Sequence, residues 1–133
     1  MKKVLAFILL FALLCPLCSC GKYVSSYKAI GLVRSQTSHS CKASFHSLEG
    51  ELVFKLKKSE SGTEGDIGYS IQVDEGELVI YYDIYGVKEE LAHVKAGESV
   101  TARGGYVEGG HNVYIIIVAN EKSRGKVSVE LNN

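Results

Sequence analysis

Alternation of apolar and polar residues is the dominant pattern along most of this chain. Every second residue is apolar between positions 67 and 74, and the same period of two recurs at 48–57 and 127–131. Because successive side chains of a β-strand point to opposite faces, this pattern predicts strands with one packed face and one solvent-facing face. We therefore expect an all-β protein.

The segment from Val113 to Val118 differs from the others, because it is apolar at every position. A strand that is apolar on both faces is typical of the middle of a covered sheet. We expect this segment to form the central strand.

Clusters rich in glycine separate the alternating segments. Glycine supplies the positive φ angles that tight turns need, so the clusters predict antiparallel hairpins. Their number and spacing predict roughly seven to nine strands in an antiparallel β-sandwich. The clusters lie at 61–65, 74–76, 97, 104–105, 109–110 and 123–125.

Residues 87–95 allow two interpretations. Val87, Leu91 and Val94 have helical spacing, and Gly97 follows where a helix would end, which favours a short helix. A strand is preferred, because alternating segments flank these residues on both sides and a helix would leave a gap in the sheet.

The amino terminus has a different pattern. Lys2 and Lys3 precede an uncharged apolar stretch over residues 4–17. A basic start followed by such a stretch is typical of a secretory signal peptide, and the stretch is shorter than the ~20 residues that span a bilayer as a helix. We expect residues 1–19 to be removed on export.

The end of this segment, Leu17-Cys18-Ser19-Cys20-Gly21, resembles the lipobox of bacterial lipoproteins. The aliphatic residue stands three positions before Cys20 and a small residue stands immediately before it, whereas Cys15 and Cys18 lack this context. The resemblance implies cleavage before Cys20, a diacylglyceryl group on its thiol and usually a further acyl chain, such as palmitate, on the new amino end. Two or three chains give stable anchoring, at a cell membrane or an outer membrane.

These boundaries predict three parts: a signal peptide at 1–19, a lipidated tether at 20–27 and one β-sandwich domain at 28–133. A length of 133 residues suits a single domain, and a composition of 46% hydrophobic and 23% charged residues indicates a folded globular chain. The chain has 15 basic and 15 acidic residues; losing Lys2 and Lys3 leaves 13 against 15, a net charge of −2. This balance disfavours nucleic acid as a partner.

Cys41 is the one cysteine that remains once the leader is removed and Cys20 carries lipid. No internal disulfide is then available. We expect the Cys41 thiol to be buried as a small apolar group.

The segments Gly110–Ile115 and Gly125–Val129 resemble the closing hairpin of jelly-roll β-sandwiches found as accessory domains of exported bacterial proteins. The resemblance rests on the spacing of glycines and β-forming residues. It implies architecture alone, because such sandwiches bind sugars, bind proteins or act as spacers.

The segment Leu78–Tyr85 carries the candidate ligand surface. If Leu78 and its alternate neighbours are buried, then Tyr81, Asp83 and Tyr85 share the opposite face. Two tyrosine rings beside an acceptor can stack on a sugar or hold a peptide, because each ring has a rigid apolar face and a polar tip. Ordinary cross-strand packing on a covered face is the alternative.

Metal binding has weak support. His39, Cys41 and His46 include ligand types that suit zinc or copper, but the spacing places no fourth ligand. The acidic cluster at 74–77 surrounds Gly76, which favours a hairpin over a calcium site. We predict no metal and no cofactor.

Catalytic motifs are missing as well. The sequence has no Gly-x-Ser-x-Gly motif. A carboxylate pair for glycosidic chemistry could come from Glu60, Glu64 and Asp66, but these residues fit a solvated loop, and the chain is too short for a deep cleft. We expect the protein not to be an enzyme.

The leading hypothesis is a lipid-anchored, non-catalytic binding or interaction module of the bacterial cell envelope, with an envelope protein or a glycan as its partner. The alternative is a structural or assembly component that forms homo-oligomers through the face of Tyr114, Ile116 and Val118. A small enzyme or an enzyme inhibitor that uses the loop from Ser59 to Asp66 is a further, weaker hypothesis.

Overall fold

The structure is a computed structural model that describes residues 23–58 and 63–131. These residues form eight antiparallel strands and contain no helix, so they also contain no helix that could cross a membrane. The all-β prediction and the predicted number of strands are confirmed. The strands are β1 Ser26–Ile30, β2 Val33–Gln36, β3 Ser40–Lys57, β4 Glu64–Glu75, β5 Glu77–Asp83, β6 Glu89–Lys95, β7 Ser99–Glu108 and β8 Asn112–Leu131.

All eight strands belong to one hydrogen-bonded sheet, in which shorter strands lie one after another along the two longest strands, β3 and β8. β1 and β2 follow one another along β3, and β4 and β5 follow one another along β8. β7 and β6 in turn pair with β4 and β5. β8 lies between β3 and the β4–β5 pair, so the segment that is apolar on both faces does form the central strand.

This sheet folds back on itself into two layers. Layer 1 contains β2, β4 and β7 with residues 40–45 of β3 and 125–131 of β8; layer 2 contains β1, β5 and β6 with residues 50–57 and 112–119. Both layers contribute side chains to a single core, and the amide of Lys57 donates to Ser38 O at 2.7 Å where the two ends of β3 meet. The predicted sandwich is therefore one sheet bent in the middle.

Glycines make the bend possible. Gly50, in the middle of β3, has φ +117°, and a Cβ there would lie 2.8 Å from Tyr27 Cα on the neighbouring strand. Gly76, between β4 and β5, has φ +80°, and a Cβ there would lie 2.7 Å from Lys122 O. Positive φ and close backbone contact both disfavour a side chain at these two positions. Gly50 thus lets β3 bend without ending, and Gly76 lets β5 follow β4 along β8.

The same glycine clusters explain which turn predictions are wrong. The clusters at 104–105 and 123–125 lie inside β7 and β8, and the cluster at 74–76 joins two strands that continue along β8. The predicted closing hairpin is likewise wrong, because its two arms, from Asn112 to Ile115 and from Gly125 to Val129, lie in the single strand β8. Glycine at these positions permits close strand approach rather than chain reversal.

Two other predictions agree with the structure. Residues 89–95 form strand β6, as preferred over a helix. Turns at Gly97 and at 109–110 are present, with Glu98 N donating to Lys95 O at 3.0 Å and His111 N donating to Glu108 O at 3.3 Å. The cluster at 61–65 lies partly outside the described residues.

Candidate functional site

The three residues of the predicted ligand surface do not form one row. Tyr81 lies on the outer face of layer 2, where the Lys88 ammonium stands 4.6 Å from the centre of its ring. Asp83 is 1% exposed. Tyr85 lies beyond the end of β5 and is 55% exposed, so its ring is the more accessible of the two tyrosine rings.

Asp83 has a structural role at this place. Its Oδ1 accepts a hydrogen bond of 2.6 Å from the backbone amide of Gly86, and its Oδ2 accepts one of 2.6 Å from the hydroxyl of Tyr23. The first bond shapes the turn between β5 and β6, and the second holds the amino-terminal segment against β5. Asp83 therefore orients the turn that carries Tyr85.

Tyr85 lines a concavity of about 320 Å³ at this end of the sandwich, which we call the tyrosine cleft. Its rings come from three places: Tyr82 from β5, Tyr85 from the turn and Tyr106 from β7. Rings from both layers thus meet at one point. The remaining lining residues are Ile84, Val87 and Glu89.

Each tyrosine of the cleft donates its hydroxyl hydrogen to a glutamate. Tyr82 bonds to Glu89 Oε2 at 2.7 Å and Tyr106 to Glu64 Oε1 at 3.3 Å. Tyr85 bonds to Glu108. The glutamates hold the rings in fixed orientations and keep acceptor oxygens available beside them.

The tyrosines are neutral at physiological pH. Donation to the Glu108 carboxylate raises the pKa of Tyr85 to about 12, because it favours the protonated phenol. The pKa of Tyr82 is raised chiefly by burial and then by its bond to Glu89. The pKa of Tyr106 is also raised, with burial as the largest cause and the nearby Glu64 next. The cleft thus combines neutral aromatic rings with carboxylate acceptors.

His111 stands at the rim of the cleft. Its ring meets the ring of Tyr85 edge-on, with 5.4 Å between centres, and its Nε2 lies 4.0 Å from Glu108 Oε2. This contact helps to fix the orientation of the Tyr85 ring.

Sequence reasoning found one member of the cleft, Tyr85. It assigned Tyr82 to the core, where that ring does pack, and it gave no role to Tyr106. Long-range pairing of β4 with β7 brings Tyr106 to the cleft, and local alternation contains no trace of that pairing. The available signal was a tyrosine directly after two glycines, at a position where the alternation is interrupted.

The candidate metal ligands are not brought together. Cys41 is 1% exposed in the core, which confirms the prediction of a buried thiol, and burial raises its pKa to about 12. His46 is exposed, on the opposite face of β3 from Cys41. Among residues 23–58 and 63–131, no three His, Cys, Asp or Glu side chains are arranged to hold a metal ion.

The acidic groups singled out in the sequence have other partners. Glu77 bonds to His93, and Arg103 donates two hydrogen bonds, of 3.0 and 2.7 Å, to Asp66, which lowers the pKa of that carboxyl. Residues 59–62 of the candidate inhibitor loop, which include Glu60, lie outside the described residues. Glu64 bonds to Tyr106. Asp74 and Glu75 lie 3.9 and 3.4 Å from the guanidinium of Arg124.

The outer face of layer 1 is a second surface with shallow concavities. The larger part of it is polar, and one groove of about 410 Å³ crosses it between Lys42 and Lys126. Ser44, Ser70 and Ser128 line this groove with short hydroxyl groups. No aromatic ring of the described residues lines it, and its exposed apolar side chain is that of Val33, so it offers a ligand no ring surface to cover.

The outer face of layer 2 is apolar around Ile116 and Val79, and it is partly covered. Ile116 and Val79 are 1% and 7% exposed, although neither belongs to the main core. The ring of Tyr23 packs on the ring of Tyr114, with 5.2 Å between centres. The face proposed for homo-oligomers is thus partly occupied by the chain's own amino-terminal segment.

The predicted tether joins the sheet earlier than expected. β1 begins at Ser26, so the last two residues of the predicted tether, 26 and 27, belong to the fold. Ser25 also contacts the sheet, since its Oγ accepts from Val53 N at 2.9 Å. The predicted signal peptide and Cys20 lie outside the described residues.

Comparisons with known proteins show no family for this chain. No family model and no curated protein matches the chain. One similar solved structure is a family 29 carbohydrate-binding module with mannohexaose, at 15% identity and TM-score 0.44, covering 80% of this chain and 78% of that one. The same module with cellulohexaose gives 15% identity and TM-score 0.45, covering 80% of each chain. A cupin-2 domain protein from Shewanella frigidimarina gives 17% identity and TM-score 0.32, covering 80% of each.

Proposed function

We propose that this protein is a lipid-anchored, non-catalytic binding module of the bacterial cell envelope, and that it holds its ligand in the tyrosine cleft. The anchor rests on the sequence: a basic start, an apolar stretch and Cys20 in a lipobox context. The ligand site rests on one structural observation, the meeting of three tyrosine rings in a concavity at the end of the sandwich.

The cleft suits binding for physical reasons. Tyr85 and Tyr106 are 55% and 42% exposed, so a ligand can cover much apolar ring surface that water now contacts. Their hydroxyl groups are already bonded to glutamates, so ring orientation costs little further entropy on binding. Carboxylate oxygens at the rim accept hydrogen bonds from sugar hydroxyls or peptide amides. An envelope glycan and an envelope protein segment both meet this description.

A binding screen tests the site. The chain from residue 20 onward, expressed without the leader and with Cys20→Ser, would be passed over immobilised envelope oligosaccharides and peptides, and any retained probe would be titrated by calorimetry. We expect Tyr85→Ala and Tyr106→Ala each to weaken binding about tenfold or more, since central aromatic contacts carry ~1.4 kcal/mol or more.

Tyr27→Ala is the matched control. Tyr27 is also an exposed tyrosine, at 38%, but it lies in β1, away from the cleft. Unchanged binding is expected for this variant. Equal loss in the control, or a screen in which no probe is retained, would contradict the proposed site.

Cell fractionation tests the anchor. The wild-type chain should be recovered with membranes and released by detergent, because two or three acyl chains give stable attachment. Cys20→Ser, exported behind a leader that the general signal peptidase removes, should lose this attachment. A Cys20→Ser chain that stays with membranes as firmly as the wild type would overturn the anchor.

A further inference from the structure

We propose that the outer face of layer 2 is the side of the anchored protein that lies against the lipid surface. This inference rests on the proposed lipid at Cys20 and goes beyond it, because lipidation alone leaves the orientation of a domain undefined. Its basis is the place where the chain joins the sheet.

The chain is fixed to layer 2 from Tyr23 onward. The Tyr23 hydroxyl donates to Asp83 at 2.6 Å, and its ring packs on Tyr114. Two residues later, Ser25 Oγ exchanges hydrogen bonds with the backbone of Val53, accepting from N at 2.9 Å and donating to O at 3.4 Å. These contacts span β3, β8 and β5, so they seat the segment across the outer face rather than at one edge.

The short connection to Cys20 limits where the lipid can be. Two residues, Gly21 and Lys22, separate Cys20 from Tyr23. Three Cα–Cα steps of about 3.8 Å therefore keep the two Cα atoms within about 11 Å of each other. Packed sheets are themselves about 10 Å apart, and outward side chains add to that distance. A lipid on Cys20 therefore leaves the domain on the side of layer 2 and not on the side of layer 1.

The side chains on the two faces agree with this orientation. Val24, beside Tyr23, is 70% exposed, and the neighbouring face presents Val53, Val118 and tyrosine rings. Lys55 stands next to Tyr114 in the sheet register, where its ammonium can extend to lipid headgroups. Valine, tyrosine and lysine together suit the boundary between headgroups and acyl chains.

The ligand site stays accessible in this orientation. The tyrosine cleft lies at the end of the sandwich, where rings of both layers meet, and not on the outer face of layer 2. The polar face of layer 1 would point away from the membrane. The anchor would thus hold the cleft beside the lipid surface, close to glycans or proteins of the envelope.

Fluorescence quenching in vesicles tests the orientation. The lipidated protein would be reconstituted into vesicles of phosphatidylethanolamine and phosphatidylglycerol that contain a headgroup-level nitroxide lipid. A fluorophore would be attached at Lys55→Cys on layer 2 or at Lys126→Cys on layer 1, two exposed lysines of long central strands. The buried Cys41 does not compete for the label. We expect at least twofold stronger quenching at position 55.

A flexible insertion provides the control. About ten Gly and Ser residues placed between Cys20 and Tyr23 would let the domain turn freely, so the difference between the two labels should fall. Equal quenching at both positions of the native-length chain, or stronger quenching at 126, would overturn the orientation.

Mass spectrometry of the same samples separates the two proposals. An acylated Cys20 together with equal quenching contradicts the orientation alone. A Cys20 without acyl mass contradicts the anchor, and the orientation fails with it.

Discussion

The outer faces of the two layers are built by the same long strands, yet they have opposite character. On β8, Lys126, Ser128 and Glu130 face outward in layer 1, whereas Tyr114, Ile116 and Val118 face outward in layer 2. A single strand thus changes from a polar to an apolar outer surface where it bends. The two faces therefore have different surroundings: the face of layer 1 meets water, whereas the face of layer 2 is partly covered by the segment at Tyr23.

The bend that separates the two faces offers the largest expected effect. Gly50→Ala places a side chain at φ +117° and against the backbone of the neighbouring strand. We expect a loss of about 4 kcal/mol in the free energy of unfolding, from backbone strain and overpacking together. Urea denaturation followed by circular dichroism measures it.

Gly97→Ala is the control for this change. Gly97 also has a positive φ, +85°, but a Cβ there meets no atom within 4 Å. It should lose only about 1 kcal/mol, the cost of the backbone conformation alone. Equal losses at the two glycines would show that close strand contact does not fix the bend.

A matched pair of substitutions on β8 tests whether the two outer faces differ in burial. Ile116→Ser removes a side chain that is 1% exposed on the outer face of layer 2, and we expect a loss of about 3 kcal/mol. Lys126→Ser changes an exposed side chain of layer 1 and should stay within about 0.5 kcal/mol of the wild type. Thermal and urea unfolding of both variants check this. Similar values would mean that the two faces are equally exposed.

The contact of Tyr23 gives a smaller effect with a distinct pH dependence. Tyr23→Phe removes the hydrogen bond to Asp83, and we expect a loss of about 1 kcal/mol at neutral pH. That bond raises the pKa of Tyr23 to about 12, above the value near 10 of an unfolded chain. A group with a raised pKa stabilises the fold below its unfolded pKa, and this stabilisation is lost as the pH rises through the folded value.

The difference between wild type and Tyr23→Phe should therefore be constant up to about pH 10 and shrink toward pH 12. The pKa of Cys41 is raised too, but that thiol is common to both chains and cancels in the comparison. Urea unfolding at several alkaline pH values measures the trend. A difference that grows with pH would contradict the assigned direction of proton donation.

Sequence reasoning reached the fold further than it reached the site. Alternation identified the packed faces of β3, β4 and the end of β8, and the segment that is apolar on both faces identified the central strand. Both predictions succeeded because the polarity of each residue indicates whether its side chain is buried. Glycines were misinterpreted, since a bend such as Gly76 and a turn such as Gly97 need the same positive φ. Pairing across the sheet decides between them.

The site needed that same long-range information. Alternation correctly separated Tyr81 and Asp83 from the buried Tyr82, but it could not show that Asp83 is taken by Tyr23 and Gly86. Alternation also could not predict that Tyr106 and Tyr85 line the same cleft, because this depends on the pairing of β7 with β4. Side-chain direction is local, whereas the neighbours across a cleft are set by topology.

The anchor at Cys20 is the central claim, because both the envelope location of the protein and its orientation on the membrane rest on it. The direct measurement is the mass of the amino-terminal peptide of the protein recovered from membranes. We predict a peptide that begins at Cys20 and carries a diacylglyceryl group on its thiol. A peptide that begins at another residue, or an unmodified Cys20 thiol, would contradict the account.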